Sequence, residues 1–333
     1  MEPKYTYSQL SANSAAHLVA FQYDLPKFID CKFYVFGLHD NYLIEDEHKK
    51  YILRIYRNDW RSEQEIQFEL ELLAFLGTKD VLVATPLTTN TGGLSFFIDS
   101  PEGKRVAALF HYADGYAPGN EITVAQSALL GKAVANVHQI TNTYETGLSR
   151  HILDVPYLLD QSIIAIQPFI DIEAKNYIYT LQNKLKDDLP SLPRKTGVFG
   201  ICIGDVNPTN FHINDKKEIT LFDFDQCGYG NRVFEIGKFI SSIHPTKTKH
   251  EISSTFIEGY QQVRQLSDAE LSAIPYYEML SVIWVMAIHA YNADRIGHKY
   301  LEKSFWDRRI AKLKELDKLM PNKQIQPTQK SRG

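Results

Sequence analysis

Over residues 50–56, apolar and polar side chains alternate in the two-residue rhythm of a strand: Tyr51, Leu53 and Ile55 fall on one face, and Ile52, Arg54 and Tyr56 on the other. Residues 29–37 and 42–45 also read as strands, joined by a turn at 37–41, and a charged turn at 46–49 leads into the third. Between 62 and 76 the period lengthens to that of a helix. Ile66, Leu70, Leu72, Leu73 and Leu76 form its apolar face, Ser62 is its N-cap, and Glu69 falls inside the apolar face while Glu71 points away. Residues 82–85, 94–99 and 106–112 continue the sheet, with turns at 90–93 and 101–104. An earlier helix spans 8–23, through Leu10, Ala15, Leu18 and Val19. From residue 123 onward helical spacing dominates: 123–141, 155–166, 170–189, 233–242, 251–263, 267–290 (broken near Pro275) and 302–319. Only 211–214 and 220–224 interrupt it, as two strands of a hairpin. The aromatic side chains of 276–291 read as a core stripe. The last stretch, 321–333, is polar and basic without periodicity, which predicts a disordered tail.

A chain of 333 residues with 44% apolar and 23% charged residues is an ordinary globular composition, long enough for two lobes. Strands first and helices afterwards predict an α+β protein: an N-terminal antiparallel sheet lobe with one key helix, and a larger, mainly helical C-terminal lobe. The expected division is 1–112, 113–320 and the tail. A net charge of −4 offers no electrostatic footprint for nucleic acid. Three scattered cysteines (Cys31, Cys202, Cys227) make no disulfide framework, which favours a reducing compartment. The N-terminus has no basic start followed by an apolar core, and the run 279–288 is short for a bilayer; the expectation is a cytoplasmic protein with no membrane partner.

The chemistry concentrates between 201 and 232. Asp205 is followed five positions on by Asn210, and the hairpin exits into Asp223-Phe224-Asp225. Such a layout can bring an Asn amide and a carboxylate to one point while a second carboxylate stays free beside them. Mg²⁺ takes a few hard oxygen ligands and leaves the rest to phosphates and water, and a free Asp can accept the proton of an attacking hydroxyl. The plainer alternative is that Asp205 and Asn210 are turn residues, in company with Gly204, Asn207 and Pro208, and that Asp223 merely ends a strand. Along an extended strand Asp225 would point the same way as Asp223, as a second metal ligand or a substrate contact.

The segments GDVNPTN (204–210) and LFDFDQCGYGNRVFEIGKF (221–239) resemble the kinase-like aminoglycoside phosphotransferase superfamily, which includes choline and homoserine kinase relatives. The resemblance is strong over 203–240 and extends over about 30–315. It implies a protein-kinase-like fold and ATP- and Mg²⁺-dependent phosphorylation of a hydroxyl. Asp205 would be the catalytic base, and Asn210 and Asp223 the metal ligands. Arg54 would grip the nucleotide phosphates, paired with Glu69. Read from the strand alone, Arg54 is equally a solvated cation, and Glu69 could reach past the rim of its face. The resemblance also places Asn41 at a phosphate-proximal turn, backbone around Phe110 and Tyr112 at the adenine, and His138 as a structural residue near the catalytic loop. Two departures stand out: Ile203 replaces the usual His before the Gly-Asp, and Asn207 and Thr209 replace the usual His and Gly after it. Loss of the His leaves a nucleotide-binding pseudokinase as an alternative. The acceptor stays open among an antibiotic, homoserine or another metabolite alcohol, and a protein Ser/Thr, as do nucleotide preference and oligomeric state.

Overall fold

The computed structural model describes residues 3–25 and 30–320; Ile29 of the expected first strand and the expected disordered tail, 321–333, lie outside them. Helix α1 (Ala12–Gln22) starts at Ser11, whose side chain accepts from the Ser14 N–H, four residues later than the apolar spacing alone suggests. Strands β1 (Asp30–Phe36), β2 (Asp40–Glu45) and β3 (Lys50–Ile55) follow, then helix α2 (Glu63–Gly77), β4 (Phe96–Ser100) and β5 (Gly103–His111). The five strands form one antiparallel sheet in the order β1-β2-β3-β5-β4. The alternation in β3 does what its pattern predicts. Tyr51, Leu53 and Ile55 bury against α1 in a small core of their own, and Arg54 projects from the opposite face. Asp40 and Asn41 belong to β2 rather than to the turn before it.

Residues 82–85 correct the sequence reading: they are not a sheet strand. Val83 makes an isolated parallel bridge to Leu221, with the Ala84 N–H on Leu221 O, so this segment ties the first lobe to the second. Helix α2 starts from a capping box, Ser62 with Glu65. Its buried face, Ile66 to Leu76, joins a core continuous with the helical lobe. Hydrophobic packing therefore does not divide where the sheet ends.

The second lobe comprises α3 (Val124–Ile140), β6 (Ile152–Leu153), a π-helical turn (Pro156–Gln161) running into α4 (Ser162–Ile166), α5 (Ile172–Asp188), β7 (Phe199–Cys202), β8 (Phe211–Ile213), β9 (Ile219–Leu221), β10 (Gly228–Asn231), α6 (Val233–Ser242), α7 (Lys249–Gln261), α8 (Asp268–Tyr291), short α9 (Ala293–Ile296) and α10 (Lys303–Leu319). Strands β8 and β9 form the expected hairpin, while β6-β10-β7 form a small sheet that the periodicity did not announce. Helix α8 runs unbroken through Pro275. The missing N–H frees the Leu271 carbonyl, and Leu271 and Pro275 both lie on the exposed side, where water can take its place, while Ala273, Ile274, Tyr276 and Tyr277 hold the helix from within. Tyr276, Tyr277 and Trp284 are core residues as expected; Tyr291 is exposed. By length and composition α8 could cross a bilayer, but 72% of its most apolar window is buried inside the protein. Helices α3 and α7 cross closely through Gly131 and Gly259: a Cβ on Gly131 would lie 2.1 Å from Phe256 O.

Candidate active site

The loop after β7 is shaped by Gly204. Its φ of +91° suits glycine, and a Cβ there would sit 2.0 Å from Gln226 O. The Gly204 N–H donates to Glu235 Oε1 at 2.9 Å, from the first turn of α6. Glu235 is fully buried, and burial lifts its carboxyl to about 7 against the pull of the Gly204 N–H and Lys238. The next residue, Asp205, keeps its side chain partly open. Asn210 Nδ2 donates to its Oδ2 at 2.9 Å and to its carbonyl at 3.0 Å, and Lys238 Nζ stands 2.6 Å from its Oδ1. Within the loop, Asn207 Oδ1 accepts from the Thr209 N–H at 2.8 Å. That side-chain turn is what the residues replacing the family's His and Gly provide.

Asn210 O accepts from the Phe222 N–H at 3.1 Å, which fixes the start of the Asp-Phe-Asp segment beside Asn210. The strand β9 has already ended at Leu221, and Asp223 adopts a φ of +63°. A non-glycine residue held there marks a backbone that its surroundings over-determine. The turn sends Asp223 and Asp225 to different places, so the expectation that they point alike does not hold. Asp223 remains 39% exposed and pairs with Arg54 Nη2 at 3.0 Å. Desolvation raises its carboxyl, against Arg54 and with the crowding of Asp225 and Asp205.

Asp225 is buried among groups from the first lobe. Trp60 Nε1 donates to it at 2.8 Å, Arg61 Nε lies at 3.5 Å, and His39 Nε2 approaches to 3.1 Å, off the hydrogen-bond axis. Its carbonyl accepts from Arg61 Nε at 3.1 Å and from Arg150. Against the desolvation that would raise it, Arg61 and His39 hold this carboxyl well below the usual carboxylate range.

Arg54 meets Glu69 Oε1 at 3.2 Å as well as Asp223, and its Nε donates to Asn41 Oδ1 at 3.3 Å. Glu69 is thus the buried partner the helix pattern called for, and Asn41 contacts the arginine directly. Burial raises the Glu69 carboxyl against the Arg54 charge. Phe110 places its ring under the Arg54 guanidinium at 5.5 Å. The adenine expectation needs correcting in one respect. The N–H groups of His111 and Tyr112 already donate to Thr85 O and Lys50 O, so they are not free for a base, whereas the Ala113 N–H has no acceptor among the described residues. His138 is buried, with Nδ1 2.8 Å from the Tyr260 hydroxyl, a core histidine.

Asp205, Asp223, Asp225 and Lys238 line one cavity of about 350 Å³, closed by Leu38 from the β1–β2 turn and by Val285, Ile288 and His289 of α8. Among the described residues no three His, Cys, Asp or Glu side chains cluster as a protein-only metal site. Asp223 offers carboxylate oxygens and Asn210 an amide oxygen, hard donors of the kind that suit Mg²⁺. The sequence reading overlooked Lys238 and Glu235. Their signal was two opposite charges, three residues apart, inside the apolar run of α6.

Comparisons with known proteins show what the chain is similar to. The uncharacterized protein sll1119 of Synechocystis is 36% identical over 312 residues, covering 93% of this chain and 86% of its own. In fold the chain matches an amicoumacin kinase solved with AMP-PNP, Ca²⁺ and Ami (TM-score 0.76, 22% identity, 94% of this chain and 95% of that one). It also matches a microcompartment-associated aminopropanol kinase (TM-score 0.76, 21% identity, 91% and 95%). Residues 36–271 match the Phosphotransferase enzyme family, APH, and the chain belongs to that family of kinase-like phosphotransferases.

Proposed function

We propose that the protein transfers the γ-phosphoryl group of ATP to a hydroxyl of a small molecule. Two carboxylates on one cavity carry this reading: Asp205, held by Asn210, and Asp223, paired with Arg54. Arg54, held by Glu69 and Asn41, is aimed at the phosphates from the sheet lobe. Asp223 and Asn210 would hold Mg²⁺, which neutralises charge on the phosphates. Asp205, pinned by Asn210, orients the acceptor hydroxyl and takes its proton. The acceptor oxygen forms a bond to Pγ as the bond from Pγ to the β–γ bridging oxygen breaks, and ADP leaves with that electron pair. Positioning supplies most of the acceleration, because phosphoryl transfer needs little covalent help. Asp225 serves as the anchor that ties this segment to Trp60 and Arg61. Ile203, in the position of the family's His, is buried in the core and leaves the polar set in place.

The test is Mg²⁺-dependent transfer of label from γ-labelled ATP to a panel of alcohols, with Asp205→Ala alongside. Label on an acceptor that disappears in the variant is expected. MgATP binding without label on any acceptor would identify a nucleotide-binding protein without transferase activity, and no MgATP binding would refute the reading altogether.

A further inference from the structure

We propose that the acceptor carries a carboxylate beside its hydroxyl, and that Lys238 is the residue that selects it. The inference rests on the phosphotransferase reading and concerns the half of the cavity away from Arg54. That half is formed by Lys238 and Ser242 of α6 and by Val285, Ile288 and His289 of α8. Among the described residues lining the cavity, the carboxylates are Asp205, Asp223 and Asp225. Each already faces a cation: Lys238, Arg54 and Arg61 respectively. A cationic acceptor would find no uncommitted counter-ion there.

Lys238 is the unusual member. Its side chain is 4% exposed, and a buried ammonium is costly unless it is well paired. Asp205 is its ion-pair partner at 2.6 Å, while an ammonium carries three donors. The hydroxyl to be phosphorylated must approach Asp205, so the rest of the acceptor necessarily lies next to Lys238. An anionic substituent there would complete the lysine's pairing without taking Asp205 from its work.

The surroundings favour the same sign. Behind Ser242, Lys312 Nζ donates to Ser241 O at 2.6 Å, and Lys249 pairs with Glu278 at 3.0 Å. Burial, with Lys249, Lys238 and Arg309 acting against Glu278, pushes the Lys312 ammonium down to about 8. His289 adds no opposing charge. Its Nδ1–H is held by Val285 O at 2.8 Å, and burial lowers its pKa.

The experiment offers the full-length protein saturating MgATP and three sets of small alcohols matched in length: hydroxy acids, diols and amino alcohols, for example 4-hydroxybutyrate, 1,4-butanediol and 4-aminobutanol. Lys238→Met and Lys238→Arg are compared with the parent. We expect kcat/KM for the best hydroxy acid to exceed that for its matched amino alcohol at least tenfold. In Lys238→Met this preference should collapse through a raised KM for the acid, and Lys238→Arg should restore part of it. Preferential labelling of the amino alcohols, or an equal loss of kcat on all three sets in Lys238→Met, would overturn the proposal while leaving the kinase standing. Lack of label in every set would defeat the phosphotransferase reading, and this proposal with it.

Discussion

Glu235 offers the sharpest test of how the catalytic loop is held. Its Oε1 accepts the Gly204 N–H, its Oε2 is buried without a partner, and its carboxyl titrates near 7 rather than 4.5. A carboxyl raised in the folded state binds its proton more tightly folded than unfolded. Stability is therefore greatest below the unfolded pKa and falls as pH rises, until the folded carboxyl has also ionised near pH 7. Carried through the linkage relation, the shift costs the folded protein about 1 kcal/mol by pH 5.5 and about 3 kcal/mol by pH 8. Glu235→Gln keeps an oxygen for Gly204 and removes the charge, at a cost of about 1–2 kcal/mol for an unpartnered amide N–H₂. The variant should therefore lie within about 1 kcal/mol of the parent at pH 5.5, and gain on it by about 2 kcal/mol between pH 5.5 and pH 8. Urea unfolding of both proteins at the two pH values, followed by intrinsic fluorescence, measures the difference directly. Parallel stabilities at both pH values would show that the carboxyl is not raised, and that the account of its burial is wrong.

The other outcomes follow from single contacts. Asp205→Asn should lower kcat for phosphoryl transfer by about 10²-fold or more while leaving MgATP affinity near that of the parent, read by steady-state kinetics and calorimetry. Arg54→Met leaves Glu69 buried without its cation; it should destabilise the protein by about 3–5 kcal/mol in urea unfolding and raise the KM for MgATP. Gly131→Ala puts a methyl 2.1 Å from Phe256 O at the α3–α7 crossing and should cost about 1–3 kcal/mol or more, measured as a lowered Tm without a change in acceptor preference.

How much of this was legible in the chain depends on the range over which each feature is decided. The alternation at 50–55 and the Ser62 N-cap are settled by near neighbours, and both appear in the structure as read. The Arg54–Glu69 pair was legible because a carboxylate on an apolar helix face demands a cation. The sheet of β6, β7 and β10 was not, since strands of two to four residues, one of them Gly-Tyr-Gly-Asn, carry too few alternations to show a period. Residues 82–85 look like a strand because they are apolar, yet their bridge is to Leu221, more than a hundred residues away, and no local pattern encodes it. Lys238 escaped for a related reason. Inside an apolar run a lysine reads as an interruption until the loop bearing Asp205 is folded over it.

The division of labour within Asp223-Phe224-Asp225 was the least accessible feature, and it explains how the two lobes are joined around the chemistry. An extended backbone would have presented both carboxylates to the cavity, where two charges beside Asp205 would repel one another and oppose metal-free folding. The positive φ at Asp223 separates them. Asp223 stays partly open and shares Arg54, while Asp225 turns into the seam and takes Trp60 and Arg61 from the sheet lobe. The β1–β2 turn is fastened on the same side: His39 reaches Asp225, and Arg295 of α9 holds Asp40 at 2.9 Å and the Leu38 carbonyl. A buried carboxylate that takes Trp60, Arg61 and His39 from the sheet lobe ties that lobe to the segment carrying the chemistry. Arg54 is the exception within this seam, since its partner Asp223 stays open to the cavity, as Asp205 does. If Asp223 is the metal ligand proposed above, Arg54 would keep its hold on Glu69 and Asn41 and could turn its free edge to the phosphates.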